Sequence, residues 1–236
     1  MVNYRLAGVL GGMGPLATVD FLSKVIGLTS AARDQEHIPL IVQQIPQIPD
    51  RAAAILEGSD APFVPMLQGL QRLAAAGAEF AVIACNSAHY WHARLERAQP
   101  LPILHIADAV RDELQRTHPQ GLRAPLMVLG TRGLHASRIY QERIGDSVPL
   151  QTPPESIQQL IDASIRAVKA GEHERGSALA ADAARRALDE GAESLLLACT
   201  ELPIALRDAA AFAHCIDSTA ALARQCIAES RRGLDR

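Results

Sequence analysis

Two stretches of this chain carry nearly the same text 114 residues apart. Residues 76–89 read AGAEFAVIACNSAH, and residues 190–203 read EGAESLLLACTELP. Gly77-Ala78-Glu79 matches Gly191-Ala192-Glu193, and Cys85 matches Cys199. Two further echoes keep the same order. Val9-Leu10-Gly11 returns as Val128-Leu129-Gly130 at an offset of 119, and the His105 and Asp108 of one segment return as His214 and Asp217 at an offset of 109. Solenoid periods run at about 20–50 residues, so this is not one. One small unit has been used twice, and paired units of this kind make ligand sites between them.

The unit is an α/β one. Short apolar runs at Leu6–Leu10, Pro39–Gln43, Phe80–Ala84, Leu101–Ile106, Pro125–Leu129, Ser194–Ala198 and Phe212–Ile216 lack polar alternation, as strands buried on both faces do. Between them lie helical patterns. Pro15–Ser30 opens on proline, Pro154–Ala170 sets Ile157, Leu160, Ile161, Ile165 and Val168 on one face, and Asp217–Arg232 is similar. Strands and helices that alternate predict mostly parallel sheets wrapped by helices.

With 236 residues, 48% of them hydrophobic, the chain has enough apolar material for one large or two small α/β domains. A net charge of −3 without a basic patch argues against nucleic acid as a partner. The chain lacks the run of roughly 18 apolar residues that a membrane span needs. The opening MVNYRLAGVLGGMGP lacks a signal peptide's basic start and cleavage site, so a cytoplasmic location is expected. The four cysteines, Cys85, Cys199, Cys215 and Cys226, form no C-x-x-C pair, which predicts reduced thiols and no zinc site.

In open α/β sheets ligands sit beyond the carboxyl ends of strands. There the two halves place Cys85-Asn86-Ser87 and Cys199-Thr200-Glu201, with Gly11-Gly12-Met13-Gly14 and Gly130-Thr131-Arg132 beside them. Asn86, Ser87 and Thr200 are good N-cap residues, so both segments are expected to start helices whose free N–H groups hold a carboxylate. The same field would lower each thiol's pKa. Cys215 and Cys226 lack this context and are assigned to packing. Two thiols facing each other suit inversion of a carbon next to a carboxylate: one removes the α-proton, the other supplies a new one, and N–H groups stabilise the charge that develops. Such chemistry calls for no metal and no other cofactor.

Five stretches then resemble the cofactor-independent aspartate/glutamate racemase family, in its aspartate racemase branch. They are Gly11-Gly12-Met13-Gly14-Pro15-Leu16-Ala17-Thr18, Ile48-Pro49-Asp50-Arg51, Cys85-Asn86-Ser87-Ala88-His89, Val168-Lys169-Ala170-Gly171 and Cys199-Thr200-Glu201-Leu202, in family order. The resemblance implies two pseudo-symmetric Rossmann-like or flavodoxin-like subdomains with the site in the cleft between them, in a homodimer. It divides the chain into one lobe of residues 1–106 plus 217–236 and a second of 107–216. Cys85 and Cys199 are implied as the acid/base pair, with Cys85 facing the α-proton of the D-form. Asn86, Ser87 and Thr200 would hold the α-carboxylate, Arg51 and Lys169 a side-chain carboxylate, and Met13 and Thr131 would complete the pocket for a dicarboxylic amino acid. Taken alone, Asp50-Arg51 reads equally well as a solvated turn, and Lys169 as a last-turn helix cation. This chain departs from the family's pattern at Ser87, where threonine is usual, and at Gly133-Leu134-His135. His89 and His92, three apart, are expected to be structural.

Rival readings remain. Gly12-Met13-Gly14-Pro15-Leu16-Ala17 fits a loose dinucleotide-binding pattern, but Pro15 removes a needed N–H, and Gln43-Gln44 stands where the ribose-binding acid belongs. Enzymes of the same fold racemise glutamate or hydantoins, isomerise maleate or decarboxylate malonates; the last need only one cysteine. A carboxylate-binding regulatory protein would keep Arg51 without needing both thiols.

Overall fold

A computed structural model describes residues 4–232. Residues 1–3, which open the stretch read for a signal peptide, and residues 233–236, which end the lobe assigned above, lie outside the described residues. Seven strands are described: β1 (Ala7–Gly11), β2 (Leu40–Gln44), β3 (Phe80–Ile83), β4 (Leu126–Leu129), β5 (Leu150–Gln151), β6 (Leu195–Leu197) and β7 (Cys215–Asp217). The helices are α1 (Pro15–Leu28), α2 (Arg51–Leu56), α3 (Phe63–Ala75), α4 (His92–Ala98), α5 (Ile106–Thr117), α6 (Arg132–Ser137), α7 (Ile139–Ile144), α8 (Glu155–Lys169), α9 (His173–Asp189), α10 (Leu202–Leu206) and α11 (Ser218–Arg231). No helix among the described residues is long and apolar enough to cross a membrane.

The strands form two sheets, ordered β2-β1-β3 and β5-β4-β6-β7, and every pairing is parallel. The first three strands of each half thus share one topology, and the repeat read from the sequence is a repeat of fold. The fourth strand breaks the symmetry. Leu101–Ile106 was expected as a strand, yet only Ile103 bridges β3, at Ala81. Pro100 and Pro102 have no N–H to give a ladder, and α5 takes over at Ile106. In the second half most of Phe212–Ile216 is a 3₁₀ turn (Ala210–His214), and only Cys215–Asp217 pairs with β6. β5 was not expected; it is a two-residue edge strand after Pro149.

Alternation along the central strands builds three cores. Val9, Val82, Val128 and Leu196 point into one interior shared by both sheets, closed by α1, α5, α7 and α11. Leu10 and Ile83 point the other way, onto α3, while Met127, Leu129, Leu195 and Leu197 pack against α8 and α9. Fully buried strands therefore serve two cores each, which is why their sequences read as unbroken apolar runs. On α8, Ile157, Ile161, Ile165 and Val168 are buried, as their spacing predicts, while Leu160, expected on the same face, is only partly buried at its edge. The two halves also meet where α6 rests on α2. A Cβ on Gly133 would lie 2.4 Å from the Ala52 carbonyl oxygen, so only glycine permits this approach.

Candidate active site

Both cysteines sit where a central strand runs out. Cys85 follows β3 by two residues and Cys199 follows β6 by two; they are 6% and 8% exposed. They line one cleft of about 310 Å³, mouth included. Met13 enters it from the turn after β1, Arg51 from the start of α2, Asn86 and Ser87 from the turn after Cys85. Thr131 comes from the end of β4, Lys169 from the last turn of α8, and Thr200 from beside Cys199. The structure thus brings together all nine residues singled out in the sequence, and adds Asp50, Ala52, Ala198 and Glu201. The Ser87 and Thr131 hydroxyls approach to 3.4 Å across the halves.

Arg51 is buried, with 8% of its surface exposed. Its Nη1 donates to the carbonyls of Ile48 and Pro49, both at 3.1 Å, while its buried Nε has no partner. Burial works to lower its pKa, but Cys85, Asp50 and Glu201 outweigh this and hold it raised. Asp50 caps α2 by accepting from the Ala53 N–H (2.9 Å) and meets Lys169 Nζ at 3.4 Å. Although burial pushes the Asp50 carboxyl up, the Ala53 N–H and the nearby Lys169 and Arg51 leave it below its usual value. Lys169 is raised despite its own desolvation, because Glu201, Cys199 and Asp50 surround it.

The expected helix-capping geometry is not what forms. Cys85 is followed by a 3₁₀ turn (Ser87–Trp91) without a side-chain cap, and α10, five residues long, begins after Glu201, also without one. The Asn86 side chain is spent on Tyr140 and Ser218, and the Thr200 hydroxyl donates to Glu201 Oε2 at 3.1 Å. The N–H groups of Asn86 and Thr200, beside the two thiols, take no backbone acceptor among the described residues.

The expectation of two thiols with lowered pKa is corrected at Cys199. Its Sγ donates to Glu201 Oε2 at 3.0 Å. Burial first, then the charge and hydrogen bond of Glu201, push this thiol well above its usual value. Burial, with a carboxylate against the sulfur, outweighs whatever a five-residue helix and the nearby Lys169 supply.

His89, His92 and His105 form a buried cluster with ring centroids 4.6–5.9 Å apart; His89 and His92 stack, and His105 meets both edge-on. His89 Nδ1 lies 2.9 Å from the Cys85 carbonyl, His92 Nε2 lies 2.8 Å from that of Ile103, and His105 Nδ1 accepts from the Ala107 N–H. Each ring thus spends at least one nitrogen on the backbone, and among the described residues no group of three His, Cys, Asp or Glu is placed to hold a metal. His135, on α6, is not among the residues lining the cleft.

A family model for Asp/Glu/hydantoin racemases matches residues 10–226. The chain belongs to the Asp/Glu/hydantoin racemase family. Among its relatives, the broad specificity amino-acid racemase RacX of Bacillus subtilis is 26% identical over 226 residues, 94% of this chain and 96% of that one. Among solved structures, an aspartate racemase of Picrophilus torridus superposes with a TM-score of 0.83 at 26% identity, covering 98% of this chain and all of that one. A glutamate racemase of Francisella tularensis, solved with D-glutamate, shares the fold at a TM-score of 0.62 and 15% identity, over 95% of this chain and 80% of its own. As in other members of this racemase family's fold, two parallel-sheet halves enclose the cleft. Sequence reasoning passed over Glu201 and Asp50 as site residues. Asp50 carried a signal, an N-cap type directly ahead of a helix. Glu201 carried none, because nothing in the order Cys-Thr-Glu says that the carboxylate folds back onto the thiol.

Proposed function

We propose that this racemase acts on an acidic α-amino acid, aspartate first and glutamate second, by proton transfer between Cys85 and Cys199 without a cofactor. What carries the reading is one cleft that holds a cysteine from each half and a buried guanidinium whose Nε has no protein partner. A thiolate at Cys85 has Arg51 as its counter-ion, while Glu201 holds the proton on Cys199. Cys85 takes the α-proton as the Cα–H electron pair moves into the α-carboxylate. Cys199 delivers its own proton to the opposite face, leaving a Cys85 thiol and a Cys199 thiolate, and the reverse reaction exchanges the roles. N–H groups at Asn86 and Thr200, with the Ser87 and Thr131 hydroxyls, serve the α-carboxylate; Arg51 and Lys169 serve the distal one.

A second reading, breadth across side-chain classes, is favoured by one observation. Asp50 and Glu201 lie against Lys169 and Arg51, so the charges around the distal pocket balance and do not select an anion strongly. A panel of single enantiomers in deuterated water with chiral detection decides. Aspartate should invert with solvent deuterium at Cα of the product and outpace neutral and basic amino acids. Equal efficiency across classes favours breadth; turnover of a malonate or maleate with no amino acid inverted sinks the racemase reading.

A further inference from the structure

Behind the cleft, three side chains and one carbonyl form a buried run of hydrogen bonds with a single polarity. The Tyr140 hydroxyl donates to Asn86 Oδ1 (2.5 Å), Asn86 Nδ2 donates to Ser218 Oγ (3.1 Å), and Ser218 Oγ donates to the Leu197 carbonyl (2.6 Å). Tyr140, Asn86 and Ser218 are at most 2% exposed. Asn86 directly follows Cys85, and Leu197 stands two residues before Cys199. The run therefore ties the cysteine turn of one half to the cysteine-bearing strand end of the other. Tyr140 on α7 anchors one end, and Ser218 at the start of α11 is the link. Each hydroxyl has one proton and spends it within the run. In a buried site without competing water, such a network holds one geometry.

We propose that Tyr140 and Ser218 are positioning residues that fix how the Cys85 and Cys199 thiols stand to each other, acting through Asn86 and the Leu197 carbonyl. The proposal rests on the two-thiol reading above. Neither residue lines the cleft, so neither touches substrate. Their effect is on the pair: both thiols must reach one carbon from opposite faces, and a misplacement of about 1 Å costs up to ~100-fold in rate. When the donor thiol stands off, the carbanion waits while the accepting thiol exchanges the proton it took with solvent and returns the solvent-derived one to the same face, so the substrate is regenerated without inversion but with solvent hydrogen at Cα.

The test uses the full chain with Tyr140→Phe and, separately, Ser218→Ala; each deletes one oxygen atom. Racemisation in deuterated water is followed alongside deuterium in the recovered substrate enantiomer. Both variants should lose about tenfold or more in kcat with KM little changed, and deuterium in recovered substrate should rise relative to inversion. Cross-linking of Cys85 to Cys199 by dibromobimane reports the thiol arrangement without needing turnover, and should slow in both variants. A lowered melting temperature with kcat, deuterium ratio and cross-linking as in the parent overturns the proposal, as does a fall in kcat with the ratio and cross-linking unmoved. If the parent inverts no amino acid, the functional reading has failed, while the cross-linking rates still decide on the brace.

Discussion

The Cys199 thiol donates to the Glu201 carboxylate at 3.0 Å, with both side chains buried. This contact, added to burial, is what keeps that sulfur protonated. Replacing Glu201 by glutamine keeps the shape and removes the charge. Cys199 should then ionise at lower pH, read as thiolate absorbance against pH in a Cys85→Ser, Cys215→Ser, Cys226→Ser background. Turnover in the otherwise unaltered protein should fall about 100-fold or more, the scale of a lost proton-transfer partner. An unmoved titration would leave burial as the whole cause.

Removing either sulfur tests the pair. Cys85→Ser and Cys199→Ser should each cut racemisation by about 10²–10⁴-fold, since a hydroxyl is a far poorer base and neither thiol can replace the other. Circular dichroism should be unchanged. Substantial inversion by either single variant would mean that one cysteine suffices.

Arg51 offers a buried Nε with no protein partner, so the effect of Arg51→Ala should depend on the side chain of the substrate. Loss of a charged hydrogen bond costs about 1.5–3 kcal/mol, or ~10- to 150-fold in KM for aspartate. KM for alanine should barely move. Arg51→Lys should recover only part of the loss, because an ammonium lacks the planar fork. Equal effects on both substrates would place Arg51 outside distal recognition.

The three clustered imidazoles make stability depend on pH. Burial, then His92, pushes His89 down to about 4, and burial with His89 and His92 pushes His105 down as well. In the unfolded chain both titrate near 6.5. Between pH 6.5 and about 4 the unfolded state therefore binds protons that the folded state refuses, so stability is full above this window and is lost as pH falls through it. Each imidazole contributes a slope of up to ~1.4 kcal/mol per pH unit. Urea unfolding at pH 7 and pH 5 measures the drop, and His105→Gln should flatten it.

Legibility followed the range of the interactions. The central strands were readable because β1, β3, β4 and β6 are buried on both sides and leave unbroken apolar text. The repeat then placed both cysteines at equivalent strand ends. Leu101–Ile106 misled because its leucines and isoleucines look strand-like, while Pro102, and Pro100 just before the segment, cannot donate. β5 is too short to leave a pattern. At the site, residue types were legible but side-chain directions were not. Asn86 was read as a helix cap and is instead a cross-brace, because its partners stand 54 and 132 residues away. The third histidine of the cluster, His105, comes from the start of α5 and is outside the helical spacing that pairs His89 with His92.

The interior shared by Val9, Val82, Val128 and Leu196 makes this duplicated molecule indivisible. A chain cut between α5 and β4 yields two pieces, each baring an oily wall that the other had covered. Neither piece alone should stay in solution as a native body. Synthesised together, they should find each other and restore the cleft, so a split gene would work only through reassembly.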